Sequence, residues 1–245
     1  MTESLRIEVL VFEGCPHAAQ ALELARRVAD RLAPGASIAR VEVDTSDKAA
    51  ASGFLGSPSI RVDGVDVEGK HTSHGALCCR TYEDGAGVPP EWLVEAAVLH
   101  ALRPRGILLL CVANSARSQM AEGLARAVLP PGVQVWSAGS RPTSVRPEAV
   151  QVLAEIGVDI TRQRSKAVSE IPSAEVDTVI TLCDEEECPI FLGKARRLHW
   201  GLADPAAVQG GEQERLNAFR ASRDELRRRF DVVGASPTAR RGAPS

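Results

Sequence analysis

Apolar positions in the first hundred residues change period in an orderly way. Leu5 to Phe12 (LRIEVLVF) is a compact apolar run rich in β-branched residues, the pattern of a buried strand. It ends at Glu13-Gly14-Cys15-Pro16, and a proline suits the first turn of a helix. From Ala19 to Leu32 the apolar residues Leu22, Ala25, Val28, Ala29 and Leu32 recur at helical spacing until Pro34-Gly35 stops them. Ser37 to Val43 alternates imperfectly and predicts a second strand. After a polar stretch, Ser59 to Val62 and Val65 to Glu68 flank Asp63-Gly64, a strong hairpin signal. Residues 71 to 90, with Gly75, Gly85, Gly87 and Pro89-Pro90, read as a loop, and Glu91 to about Leu102 as a helix.

Arg103-Pro104-Arg105-Gly106 then interrupts the pattern, and charge changes there too. Residues 1 to 104 carry a net −5 and the remainder a net +2. The expected division is therefore one domain over 1–104, a second over 105–233 and a disordered tail over 234–245. Past the break, strands at Ile107 to Leu110, Val133 to Ser137 and Val176 to Leu182 alternate with helical stretches, an α/β pattern. One of these helices runs from Pro147 to Ile156 and closes at Gly157. The last is the clearest, with Leu216, Phe219, Leu226 and Phe230 on one stripe between charged faces.

Composition narrows the function classes. The 245 residues are 44% hydrophobic and 25% charged, as in globular proteins, but only 4% aromatic, so the cores must be mainly aliphatic. A net charge of −3 lacks the basic excess that phosphate contacts require, so no nucleic-acid partner is expected. No apolar run reaches the ~18 to 20 residues of a membrane span. The first residues lack a basic region followed by a long apolar stretch, so neither membrane nor secretion is expected and the compartment reads as cytoplasmic. Six cysteines in such a chain, Cys15, Cys78, Cys79, Cys111, Cys183 and Cys188, point to chemistry rather than to a disulfide scaffold.

The strongest local signal is Cys111-Val112-Ala113-Asn114-Ser115-Ala116-Arg117-Ser118, directly after an apolar strand and before a helix. A loop in this position converges its backbone N–H groups on an anion, and the helix N-terminus adds favourable partial charge. Arg117 is suited to bind two oxygens of a tetrahedral anion. The same donors favour a thiolate at Cys111, with Ser118 placed to donate to its sulfur. The competing reading is a structural cysteine at a strand end whose Arg117 and Ser118 merely open a helix.

At these residues the chain resembles the low-molecular-weight phosphatase-like arsenate reductases. CVANSARSQMAEG is similar to that family's C-x5-R-S loop, and the resemblance continues through SAGSRPTSVRPEAVQVLAEIGVDITRQRSK, TLCDEEECP, FLGKARRLHWGLADPA and FRASRDELRRRF. It implies a four-stranded parallel sheet flanked by helices. It also implies arsenate as substrate, with phosphate as a competing anion, held by Val112, Ala113, Asn114, Ser115, Ala116 and Arg117. Cys183 and Cys188 match the redox cysteines of thioredoxin-coupled members. The implied relay begins with Cys111 attacking arsenate while Asp204 protonates the departing oxygen. Cys183 then attacks Cys111 and arsenite leaves. Cys188 attacks Cys183, and an external dithiol such as thioredoxin reduces the resulting disulfide. No bound cofactor or metal is implied. The alternative on the same scaffold is a tyrosine phosphatase, which needs only Cys111, Arg117 and the acid. Two departures stand out: Ala116 occupies a position where many members have a further Cys, and Cys183 and Cys188 lie closer together than in many members.

The first segment looks like small thioredoxin-like proteins of the glutaredoxin type, on Cys15-Pro16-His17-Ala18 at the first strand–helix junction and Gly56-Ser57-Pro58 before the hairpin. Ala18 stands where a dithiol enzyme has its second Cys. Three readings remain open: a tethered redox partner using Cys78 or Cys79 as resolving thiol, a soft-metal or arsenite site combining Cys15, Cys78 and Cys79 with His17, His71 or His74, and a docking domain with inert cysteines.

Overall fold

A computed structural model describes residues 4–83, 85–184 and 191–235. The expected tail beyond Ala235 and the relay cysteine Cys188 lie outside the described residues. The chain forms two compact units, the first ending at Arg103 and the second spanning Pro104–Gly234.

The first unit is built on a four-stranded mixed sheet ordered β2-β1-β3-β4. Strand β1 (Arg6–Val11) pairs parallel with β2 (Ser37–Glu42) and antiparallel with β3 (Ser59–Val62), which turns back into β4 (Val65–Asp66). Asp63 and Gly64 both have positive φ, 48° and 79°, as a two-residue hairpin requires. Helix α1 (Ala18–Leu32) buries Ala21, Leu24, Ala25, Val28, Ala29 and Leu32 and packs against α3 (Glu91–Leu102). The Ser57–Pro58 bond is cis. A mixed sheet with these helices is compatible with a thioredoxin-like domain.

The polar stretch before the hairpin contains a short helix, α2 (Ser46–Ser52), which hydrophobic periodicity did not reveal because only Ala49 is buried. Its signals are local: Thr45 Oγ1 accepts from Lys48 N at 3.2 Å, and Gly53 closes it in the left-handed conformation. Residues 71–90 are not simply a loop, since Cys79 forms a parallel bridge with Ser57.

The second unit carries a four-stranded, wholly parallel sheet ordered β6-β5-β7-β8. Its centre is β5 (Gly106–Cys111), buried at every residue, as expected of a parallel strand covered on both faces. On either side run β6 (Gln134–Gly139) and β7 (Thr178–Thr181), with β8 (Arg196–His199) at the edge. Strand β8 shows no apolar alternation because only Leu198 is buried. Helix α4 (Arg117–Val128) packs against β5 and β6, and against α5 (Pro147–Ala154) and α6 (Glu212–Gly234). The expected stripe on α6 is buried, with Phe230 edge-on to the fully buried Trp200 at 5.4 Å between ring centroids. Among the described residues no helix is long and apolar enough to cross a membrane.

Candidate active site

The site grows from the end of β5. Leaving the sheet at Cys111, the chain turns through residues 112–116 and enters α4 at Arg117. The turn needs Asn114 at φ 45°, a left-handed conformation that Asn tolerates better than most residues. It also needs Gly139 on β6, because a Cβ there would sit 2.3 Å from the Val112 carbonyl oxygen.

The loop's carbonyls are consumed from outside. Arg141 N donates to Val112 O at 2.9 Å, Thr143 N to Ala113 O at 3.0 Å and Arg146 N to Ser115 O at 2.9 Å. Asn114 O accepts from Ser165 Oγ at 2.6 Å and Gln119 Nε2 at 3.1 Å. Holding the carbonyls outward turns the amide side of the loop inward. That side faces a cavity of about 270 Å³ lined by Cys111, Val112, Ala113, Ser115, Ala116, Arg117, Arg141 and Asp204. Amides, a guanidinium and the first turn of α4 all favour a small oxyanion there.

The Cys111 sulfur is 3% exposed and has two polar neighbours, Asn114 N at 3.2 Å and Ser118 Oγ at 2.9 Å. Behind them lies a buried chain of hydrogen bonds. Asn114 Nδ2 donates to both Ser118 Oγ and Ser137 Oγ at 2.8 Å, which leaves the Ser118 hydroxyl hydrogen for the sulfur. Ser137 donates in turn to Glu122 Oε2 at 2.5 Å. The Glu122 carboxylate, itself 1% exposed, is balanced by Arg126 at 2.6 Å and Lys166 at 3.2 Å. Asn114 Oδ1 accepts from Lys166 N at 2.7 Å and Gln119 Nε2 at 3.0 Å, so the side chain has no freedom to turn.

Arg117 is fixed from the far side. Its Nη1 donates to Leu202 O at 2.8 Å and reaches Leu182 O at 3.5 Å, and its Nη2 lies 3.7 Å from Asp204 Oδ2. Asp204 Oδ1 accepts from Ala206 N at 3.1 Å, aiming the carboxyl at the cavity. Cys183 does not line the cavity and is fully buried. It is nonetheless close in the fold: Leu182 N donates to Leu110 O at 2.9 Å, so Cys183 follows the residue that lies beside Cys111 on the neighbouring strand.

The structure thus gathers Cys111, the loop, Arg117, Ser118 and Asp204, and sets Cys183 one residue beyond them. Sequence reasoning missed Arg141 in the cavity wall and the supporting residues Gln119, Glu122, Ser137, Ser165 and Lys166. Their polar side chains inside apolar elements were the available signal, for Gln119 and Glu122 are buried on α4 and Ser137 on β6.

In the first unit Cys15 is half-buried at the β1–α1 turn, while Cys78 and Cys79 are exposed. Among the described residues no three His, Cys, Asp or Glu form a group that could hold a metal ion.

Residues 106–234 match the family model described as low molecular weight phosphotyrosine protein phosphatase. The arsenate reductase of Halalkalibacterium halodurans is 40% identical over 126 residues, which is 51% of this chain and 91% of that one. The arsenate reductase of Bacillus subtilis has the same identity and coverage. Among solved structures, an arsenate reductase in the phosphate binding state is 29% identical, with 54% of this chain and 97% of that chain covered and a TM-score of 0.45.

Proposed function

The chain belongs to the low molecular weight phosphotyrosine protein phosphatase family through its second unit, and from that premise we propose that it reduces arsenate to arsenite by a relay of cysteine thiols. The observation that carries the reading is the position of Cys183, two residues past the end of the strand beside that of Cys111. A phosphatase has no use for a second thiol there. The two relatives above, named as arsenate reductases, support the same choice.

In this mechanism the loop amides and Arg117 hold arsenate in the cavity, and Cys111 forms a sulfur–arsenic bond as Asp204 protonates the leaving oxygen. Cys183 attacks the Cys111 sulfur. The electron pair of the sulfur–arsenic bond stays on arsenic, arsenite departs, and two thiols have become one disulfide. Cys183 does not line the cavity, so in this mechanism its segment moves for this step. Cys188 then takes over the bond to Cys183, releasing Cys111, and an external dithiol such as thioredoxin reduces the last disulfide. Phosphate, nearly the same in shape and charge, competes for the cavity. A reducing compartment, the cytoplasm, suits this cycle.

The test is to supply arsenate and a thiol source, and to measure arsenite alongside hydrolysis of an aryl phosphate, in wild type and Cys183→Ser. Arsenite formation that needs Cys183 supports the reductase. Absence of arsenite, with aryl phosphate hydrolysis indifferent to Cys183, would establish the phosphatase instead.

A further inference from the structure

The first unit contains a segment anchored far more firmly than a surface loop requires. Arg80, 6% exposed, donates to Asp66 through both terminal nitrogens at 2.7 and 2.8 Å, to Glu68 at 2.6 Å and to Ser59 Oγ at 2.8 Å. Its guanidinium lies 4.6 Å from the ring centroid of Tyr82, whose hydroxyl donates to Pro58 O at 3.0 Å. The consequence of this clamp is register. Ser57 N donates to Cys78 O at 2.8 Å and Arg80 N to Ser57 O at 3.0 Å, which sets Cys79 directly opposite Ser57.

Register decides which cysteine faces which way. An added Cβ on Gly56 would lie 3.1 Å from Arg80 Cβ, so Arg80 projects on the Gly56 side of the pair. Alternation sends Cys79 to the Ser57 side and Cys78 back with Arg80. The Ser57 side is that of the β1–α1 turn: Ser57 Oγ accepts from Phe12 N at 3.3 Å, and Phe12 O accepts from Cys15 N at 3.3 Å. Further along the same segment, Gly87 packs on the ring of His17, where a Cβ would come within 2.3 Å. The segment therefore approaches the β1–α1 turn at two points, through Ser57 and at His17.

We propose that Cys15 and Cys79 form a dithiol–disulfide centre whose two halves come from the β1–α1 turn and from the strand held on Ser57, with disulfides as its substrates. The Cys15 thiolate attacks one sulfur of an incoming disulfide, forming a mixed disulfide and expelling one thiolate. The Cys79 thiolate then attacks the Cys15 sulfur and expels the second. Two cysteine thiols are oxidised, one disulfide is reduced to two thiols, and the two cysteine protons pass to the leaving thiolates. The centre is independent of the arsenate reading, since it uses no residue of the second unit.

The experiment takes the reduced full-length chain, equilibrates it with oxidised and reduced glutathione at graded ratios, alkylates remaining thiols and maps the linked peptides by mass spectrometry. A Cys15 peptide joined to the 78–79 peptide is expected, and it should persist in Cys78→Ser, which resolves the adjacent pair. In Cys79→Ser the link should vanish and the share of Cys15 carried as a glutathione mixed disulfide should rise at least about tenfold. Both cysteines at 78 and 79 are exposed, and circular dichroism verifies folding of each variant. Loss of the link in Cys78→Ser, or wild-type Cys15 recovered as thiol or glutathione adduct throughout, overturns the proposal.

Discussion

Arg117 and Asp204 face one another across the mouth of the anion cavity, Nη2 to Oδ2, at 3.7 Å. That is too long for a hydrogen bond and close enough for attraction. Arg117 takes its orientation from the Leu202 carbonyl and Asp204 from the Ala206 amide, so neither depends on the other for position. An anion entering between them meets a guanidinium and a carboxyl that backbone has already placed.

Replacing Asp204 by Asn preserves shape and the Ala206 contact but removes the carboxyl that the proposed mechanism uses as its acid. Turnover with arsenate should fall roughly a hundredfold, the scale of a lost general acid, while KM changes little. Steady-state kinetics on the two proteins check this. A kcat within about twofold of wild type would remove Asp204 from the mechanism.

Asn114 tests the buried chain behind the sulfur. Asn114→Gly keeps the left-handed turn but deletes the donor to Ser118 and Ser137, and should cost about 1–3 kcal/mol of stability in urea unfolding. Asn114→Ala should cost roughly a further 1–2 kcal/mol, because alanine at positive φ is strained. Both should slow arsenate turnover more than either destabilisation explains, since Ser118 loses its fixed orientation toward Cys111.

Helix α6 is latched to the end of α5 by charge. Glu155 accepts from Arg220 at 2.6 Å and from Arg223 at 2.9 Å. The Arg220 hydrogen bonds, reinforced by Arg223, hold its carboxyl below the ordinary carboxylate range. A depressed carboxyl contributes stability above its unfolded pKa, near 4.3, and loses it as pH falls through the folded value. The wild-type advantage in Tm over Glu155→Gln should therefore be present at about pH 6 and vanish toward about pH 3. An advantage that persists at the acid end would show that packing, not ionisation, holds the latch.

Cys111, Arg117 and Ser118 were legible because their chemistry is local, a strand end, a loop and a helix start in eight consecutive residues. Asp204 and Cys183 came from the resemblance, since nothing in their own neighbourhoods says they lie near Cys111. Glu122, Ser137 and Lys166 stayed hidden for a physical reason. A buried hydrogen-bond chain joins α4, β6 and the segment before residue 167, and no periodicity reports contacts between elements so far apart in sequence. The hairpin at Asp63-Gly64 was visible because two residues encode it, whereas the bridge from Cys79 to Ser57 depends on the Arg80 clamp, whose partners on β4 and beyond lie about a dozen residues away.

Cys188 supplies the last prediction. Reducing arsenate takes two electrons, which in the proposed relay the thiols of Cys111 and Cys183 provide together, so a chain lacking Cys188 should complete the first reduction. Its disulfide then remains between two residues that are buried in the reduced fold, Cys111 at 3% and Cys183 at 0% exposure. A protein reductant needs an accessible sulfur to attack, and in the proposed relay Cys188 moves the bond onward. Cys188→Ser should release about one arsenite per chain in a rapid burst and then stop, with phosphate still competing for the first turnover. Quenched-flow measurement of arsenite against enzyme concentration gives the burst directly. Sustained turnover at the wild-type rate would mean that the Cys111–Cys183 bond is reduced where it forms, and that Cys188 has no step in the relay.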